Sequence, residues 1–133
     1  MPKVGVHAIA LNDKGHVLLV RRAYQSRDWN VPGGMMEDGE PIPEAVTREV
    51  LEETGYLVEV QELVALASRP KTNDVIIVVA AKIIEKRSVK VDPYEISEVD
   101  FFPFESLPEP MRPEVRNLCS LFQSGQRGVM VSL

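Results

Sequence analysis

Between Arg48 and Glu53 the chain reads R-E-V-L-E-E, so Glu49, Glu52 and Glu53 crowd into less than two helical turns. At about 100° per residue their three carboxylates share an arc of about 100° on a helix. Val46, Val50, Leu51 and Thr54 fall on the adjoining arc and can bury against a sheet. The acids therefore border the packed face and do not point away from it. Like charges at such spacings repel, and acids late in a helix meet the negative end of its dipole. Helix stability alone would not select them. Arg48 can neutralise one acid, and a hard divalent cation, which prefers carboxylate oxygen, can neutralise more. A solvated acidic face is the alternative that these residues leave open, since Glu is a good helix former. The Gly33-Gly34 pair just upstream lets the backbone turn tightly and approach a ligand.

These side chains need a scaffold, and the sequence supplies one. "PEAVTREVLEETG" reads as a helix from Pro43, where proline is tolerated in the first turn, to the C-terminal breaker Gly55. Before it, Val4–Leu11 and His16–Arg22 read as strands joined by the turn "NDKG" (Asn12–Gly15), and Ala23–Gly34 as a loop. After it, Leu57–Ala67, Asp74–Ile84 and Glu95–Phe104 read as strands. The run "VIIVVAA" is continuously apolar, which predicts a central strand covered on both faces. A last helix begins near Pro113, with Val115, Leu118, Cys119 and Phe122 three and four apart. The tail "RGVMVSL" reads as a short strand or as an arm that binds a partner, a second copy in a homodimer being one such partner. Strands, helix, strands, helix predict an α/β fold, a mixed sheet between helices.

The 133 residues suit a single domain, 1–133, and 44% apolar with 26% charged residues is an ordinary soluble balance. A net charge of −5 argues against bulk nucleic acid as partner. The one cysteine, Cys119, excludes an internal disulfide and is expected to be buried. No signal peptide or membrane-length apolar run is visible, so a cytoplasmic protein is expected.

Together the Gly-Gly turn and the acidic helix resemble the Nudix box, G-x5-E-x7-R-E-U-x-E-E-x-G-U, with U apolar. Gly34, Glu40, Arg48, Glu49, Val50, Glu52, Glu53, Gly55 and Tyr56 fill its nine defined positions over 23 residues. Tyr56 departs slightly, being aromatic where an aliphatic residue is more usual. "WNVPGG" and the strand order extend the likeness over most of the chain. The resemblance implies the family's α/β/α sandwich and its usual activity. That activity is metal-dependent hydrolysis of a nucleoside diphosphate linked to another moiety, X, with Mg²⁺, sometimes Mn²⁺, as cofactor. ADP-ribose, nucleotide sugars and (d)NTP-like compounds are the expected substrates. By the same resemblance Glu49, Glu52 and Glu53 are metal ligands, with the Gly33 carbonyl as a further candidate. Arg48 orients the glutamates, Glu40 ties the loop to the helix, and Gly34 and Gly55 serve backbone geometry. In this family the general base is a glutamate of the box or of a later loop. Glu98 is the first expectation, Glu49 the second, and Glu95 the other acid of the later loop; the alternative for Glu95 and Glu98 is a solvent-facing strand edge.

Arg21, Arg22, Arg27 and Trp29 precede the box, where such a fold borders its nucleotide pocket. Arg can clamp phosphate and Trp can stack on a base, although loop arginines are usually solvated and a lone Trp is usually core. "SRPKTND" is a second basic loop. His7 and His16 are isolated and read as structural or surface residues. A different class of function, a nucleotide sensor without turnover, stands as the alternative; such modules commonly lose box glutamates, and this chain keeps them all.

Overall fold

A computed structural model describes residues 2–133. Its elements are β1 (Lys3–Leu11), β2 (Val17–Arg22), β3 (Trp29–Asn30), β4 (Gly33–Met35), α1 (Ile42–Thr54), β5 (Tyr56–Arg69), β6 (Asp74–Lys86), β7 (Ile96–Phe102), α2 (Pro113–Gln123) and β8 (Val129–Ser132). The stretch 23–34, expected to be irregular, holds two short strands. β4 pairs antiparallel with β1 and so brings the Gly pair against the middle of the sheet.

The eight strands form one mixed sheet in the order β3-β2-β1-β6-β5-β8, with β4 added to β1 and β7 to β2. β1 runs parallel to β6, and β8 runs parallel to β5; the remaining pairs are antiparallel. The tail is therefore an edge strand. β6 lies inside the sheet, which is why its run is apolar without alternation. Val78 and Ala80 pack with Ile9, Leu19, Val115 and Leu118 under α2. Val79 and Ala81 pack with Val6, Ala8, Val46 and Val50 under α1. One helix thus covers each face, and adjacent residues of one strand serve two separate cores.

α1 starts after Pro41 in extended conformation (φ −65°, ψ 149°) and stops at Gly55, whose φ of 79° reverses the chain while its N–H donates to the Leu51 carbonyl. Ala45, Val46, Val50 and Thr54 are its buried residues. Cys119 lies buried on α2, and burial pushes its thiol up to about 11. No helix among the described residues is long and apolar enough to cross a membrane.

Candidate active site

Burial of Val46 and Val50 fixes the rotation of α1, and that rotation leaves Glu49 and Glu53 at the rim of the packed face, one turn apart. The Glu49 side chain is only 14% exposed, against 58% for Glu52. β4 supplies the floor beneath them. The Gly33 N–H donates to Glu53 Oε1 at 2.8 Å. A Cβ on Gly34 would meet the Glu49 carboxylate, so an added side chain here would have to displace that carboxylate from the backbone.

Arg48 organises the rim. Its Nε and Nη2 donate to the two oxygens of Glu40 at 2.7 and 3.0 Å. Nη1 donates to Glu49 Oε1 at 2.9 Å and reaches Glu52 Oε2 at 3.4 Å, and Nη2 reaches the Met35 carbonyl at 3.2 Å. Glu40 also accepts the Glu37 N–H at 3.0 Å. One guanidinium therefore ties the loop after β4 to the helix. Those bonds hold the Glu40 carboxyl down at about 2.

Glu53 behaves in the opposite way. Burial pushes its carboxyl up to about 7, the Gly33 N–H offsets part of the rise, and Glu49, Glu95 and Glu52 add to it. Burial also raises Glu49, against the pull of Arg48 and with Glu52 and Glu95 adding to the rise. The site thus concentrates negative charge that its own cations do not neutralise. Among the described residues, no three His, Cys, Asp or Glu side chains already converge on one point as a metal set. Each of Glu49 and Glu53 nevertheless uses Oε1 internally and keeps Oε2 unbonded among the described residues. Hard oxygen donors, partly desolvated and with excess charge, fit Mg²⁺ or Mn²⁺.

The acids border a cleft. Gly33, Glu53 and Glu95 line it, together with Arg22, Arg69 and Arg112. His7 and Asn30 lie between, both tied to the Val31 peptide: His7 Nδ1 bonds the Val31 carbonyl at 3.1 Å, and the Val31 N–H donates to Asn30 Oδ1 at 2.8 Å.

Several expected residues stand elsewhere. Glu98 does not face the acidic cluster: it pairs with Arg21 at 2.9 Å, is 52% exposed, and borders a separate hollow with Arg27. Arg21 and Glu98 are cross-strand partners on β2 and β7, and a register shift between Arg21 and Arg22 separates that pair from the cleft. Glu95, just before β7, is the later acid that reaches the cleft. Arg21 also donates through Nε to the Arg27 carbonyl at 3.0 Å, so both these arginines belong to the outer hollow. Trp29 is 6% exposed and packs edge-on against Phe102 with centroids 5.0 Å apart; it is core and offers no stacking face. Of the four residues expected to hold substrate, only Arg22 lines the cleft. His7, read as structural or surface, lies in the cleft instead. Asn30 and Arg112 were not singled out by the sequence, and Arg69 only as part of a basic loop. β1 alternation could have placed His7 on the side of Ile9, but which loops meet it there is a matter of topology.

Comparison with known proteins identifies the family and the fold. The sequence profile of the NUDIX domain matches residues 1–122. A Bacillus subtilis protein named putative 8-oxo-dGTP diphosphatase is 40% identical over 70 residues, which are 53% of this chain and 46% of that protein. The ADP-ribose pyrophosphatase of Methanocaldococcus jannaschii is 31% identical over 112 residues, 81% of this chain and 66% of that one. The crystal structure of a NUDIX hydrolase from Nitrosomonas europaea superposes with a TM-score of 0.81 at 26% identity, covering 99% of this chain and 78% of that one. The chain spans under half the length of the first curated relatives it matches, 46%, 18% and 34%. With a profile match over nearly its whole length, the chain belongs to the NUDIX domain family.

Proposed function

We propose that the protein is a metal-dependent pyrophosphohydrolase that cleaves a nucleoside diphosphate linked to another moiety, with water attacking phosphorus. The observation that carries this reading is the Glu49–Glu53 pair over Gly33-Gly34, with Glu53 half-buried, bonded to the Gly33 N–H and raised to about 7. A divalent cation bound there supplies charge screening for the diphosphate and acidifies water. Glu49, Glu52 and Glu53 hold it, and the Gly33 carbonyl is a candidate fourth donor. Arg48 and Glu40 keep the carboxylates in place. Arg22 contacts a phosphate or the moiety beyond it. Glu95, at the mouth of the cleft and coupled in charge to both Glu49 and Glu53, takes the proton from the attacking water.

The names of the relatives make ADP-ribose and 8-oxo-dGTP the first members of a substrate panel, beside nucleotide sugars and dinucleoside polyphosphates. The test is incubation with Mg²⁺ and this panel, followed by phosphatase treatment and measurement of released phosphate. Turnover that disappears on chelation supports the proposal. Tight binding with no product from any member would replace it with the sensor reading.

A further inference from the structure

The cleft shares Arg22, Arg69 and Arg112 with an adjoining hollow that Gly33, Glu53 and Glu95 do not line. The three guanidinium groups come from the end of β2, the end of β5 and the residue preceding α2. Two are held from behind. Arg69 donates through Nε to Asp74 Oδ1 at 2.9 Å and through Nη2 to the other oxygen, and the Thr72 hydroxyl bonds the same carboxylate at 2.6 Å. Arg112 donates through Nε to Asp28 Oδ2 at 3.0 Å, and the Ser26 hydroxyl donates to that oxygen at 2.6 Å. Neither aspartate lines the cleft.

This bracing leaves donors pointing forward. Nη1 of Arg69 and both Nη atoms of Arg112 have no partner among the described residues. Among the described residues the Arg22 side chain makes no hydrogen bond or ion pair; its guanidinium sits 6.0 Å from the Tyr24 ring. Among the described residues no side-chain nitrogen is both buried and unbonded, so the free donors of Arg22 and Arg69 are reachable. Asn30 adds its NH₂, because its Oδ1 is already taken. Glu114 is the one acidic side chain lining this hollow, and the His7 imidazole, bonded through Nδ1 to the Val31 carbonyl, is its one ring. Aspartates behind and donors in front make a seat for an anion with several acceptor oxygens.

We propose that this part of the cleft binds a phosphomonoester carried on an arm of the substrate remote from the scissile bridge. The substrate class is then a diphosphate whose nucleoside or X moiety bears one further phosphate. This rests on the reading of the acidic side as the cleavage site, because that side accounts for the bridging diphosphate and leaves the arginines for a second anion. The same cleft joins the two, so one ligand can span them.

The test is calorimetric binding in chelator at low ionic strength, with adenosine 5′-monophosphate, its 2′,5′- and 3′,5′-bisphosphates, and ADP as probes. At least one bisphosphate is expected to bind about tenfold or more tightly than the monophosphate, the effect of one charged hydrogen bond. Arg69→Gln should erase that preference. Arg22→Gln should reduce it too, and this variant loses no internal partner, so its fold is safe. Equal affinity for mono- and bisphosphates overturns the proposal. So does a preference that survives both substitutions, or a preference for ADP alone, which would assign the arginines to a contiguous phosphate chain. Hydrolysis of the panel with no bisphosphate preference sinks this inference and spares the proposed activity. A bisphosphate preference supports this inference even where no panel member is hydrolysed, an outcome that sinks only the activity.

Discussion

Glu53 is where burial and charge conflict most. Its folded pKa of about 7 lies above the ordinary 4.5, so the folded chain holds a proton that the unfolded chain releases. The sign follows: the metal-free protein is most stable below pH 4.5 with respect to this group, and the contribution is lost as pH rises through about 7. Thermal unfolding in chelator should show a midpoint that falls between about pH 5 and pH 8, net of other groups. Glu53→Gln keeps an acceptor for the Gly33 N–H and removes the charge, so its midpoint should fall less over that window. The same variant should fold normally and lose turnover by about two orders of magnitude or more, the usual scale for losing a group that stabilises transition-state charge. Parental turnover in Glu53→Gln would exclude the metal-ligand role. At this scale the box acids and Arg48 were legible, because their mutual placement depends only on helical spacing. Glu95 and Glu98 were not separable, since a register shift on β2, invisible in sequence, decides which of them reaches the cleft.

At the scale of elements, the site is a helix laid across a glycine strand. β4 must approach α1 closely enough for the Glu49 carboxylate to occupy the space of a missing side chain at Gly34. Gly34→Ala should displace that carboxylate; kcat should drop about tenfold or more while circular dichroism stays unchanged, a misplacement effect. A parental kcat would show that the carboxylate need not lie there. Val50 is fully buried under α1. Val50→Ala should cost about 2 kcal/mol in denaturant unfolding, from lost burial plus the cavity left. A cost near zero would mean that α1 is anchored by other contacts. The helix was readable from Pro43 to Gly55, and the long strands from their apolar runs. β3 and β4 were not, because strands of two and three residues gain their order from neighbours and not from their own pattern.

At the scale of the whole molecule, binding and stability are linked. A cation that binds only the folded acidic rim should stabilise it by mass action, by about 2.7 kcal/mol at a hundred times its Kd. Adding Mg²⁺ should therefore raise the unfolding midpoint at pH 7.5, and much less in Glu53→Gln. An equal rise in both proteins would place the ion elsewhere. The sequence by itself determined the α/β class, a central strand covered on both faces and the acidic helix with an arginine beside its acids. Each of these follows from local periodicity or from spacing within one helix. Only the tertiary structure decided the cleft. Arg22, Arg69 and Arg112, with His7 and Glu95, are scattered from residue 7 to residue 112 and meet because β1 lies between β2 and β6 and the α2 start closes over them. Such proximity is set by strand order, which one-dimensional pattern does not encode.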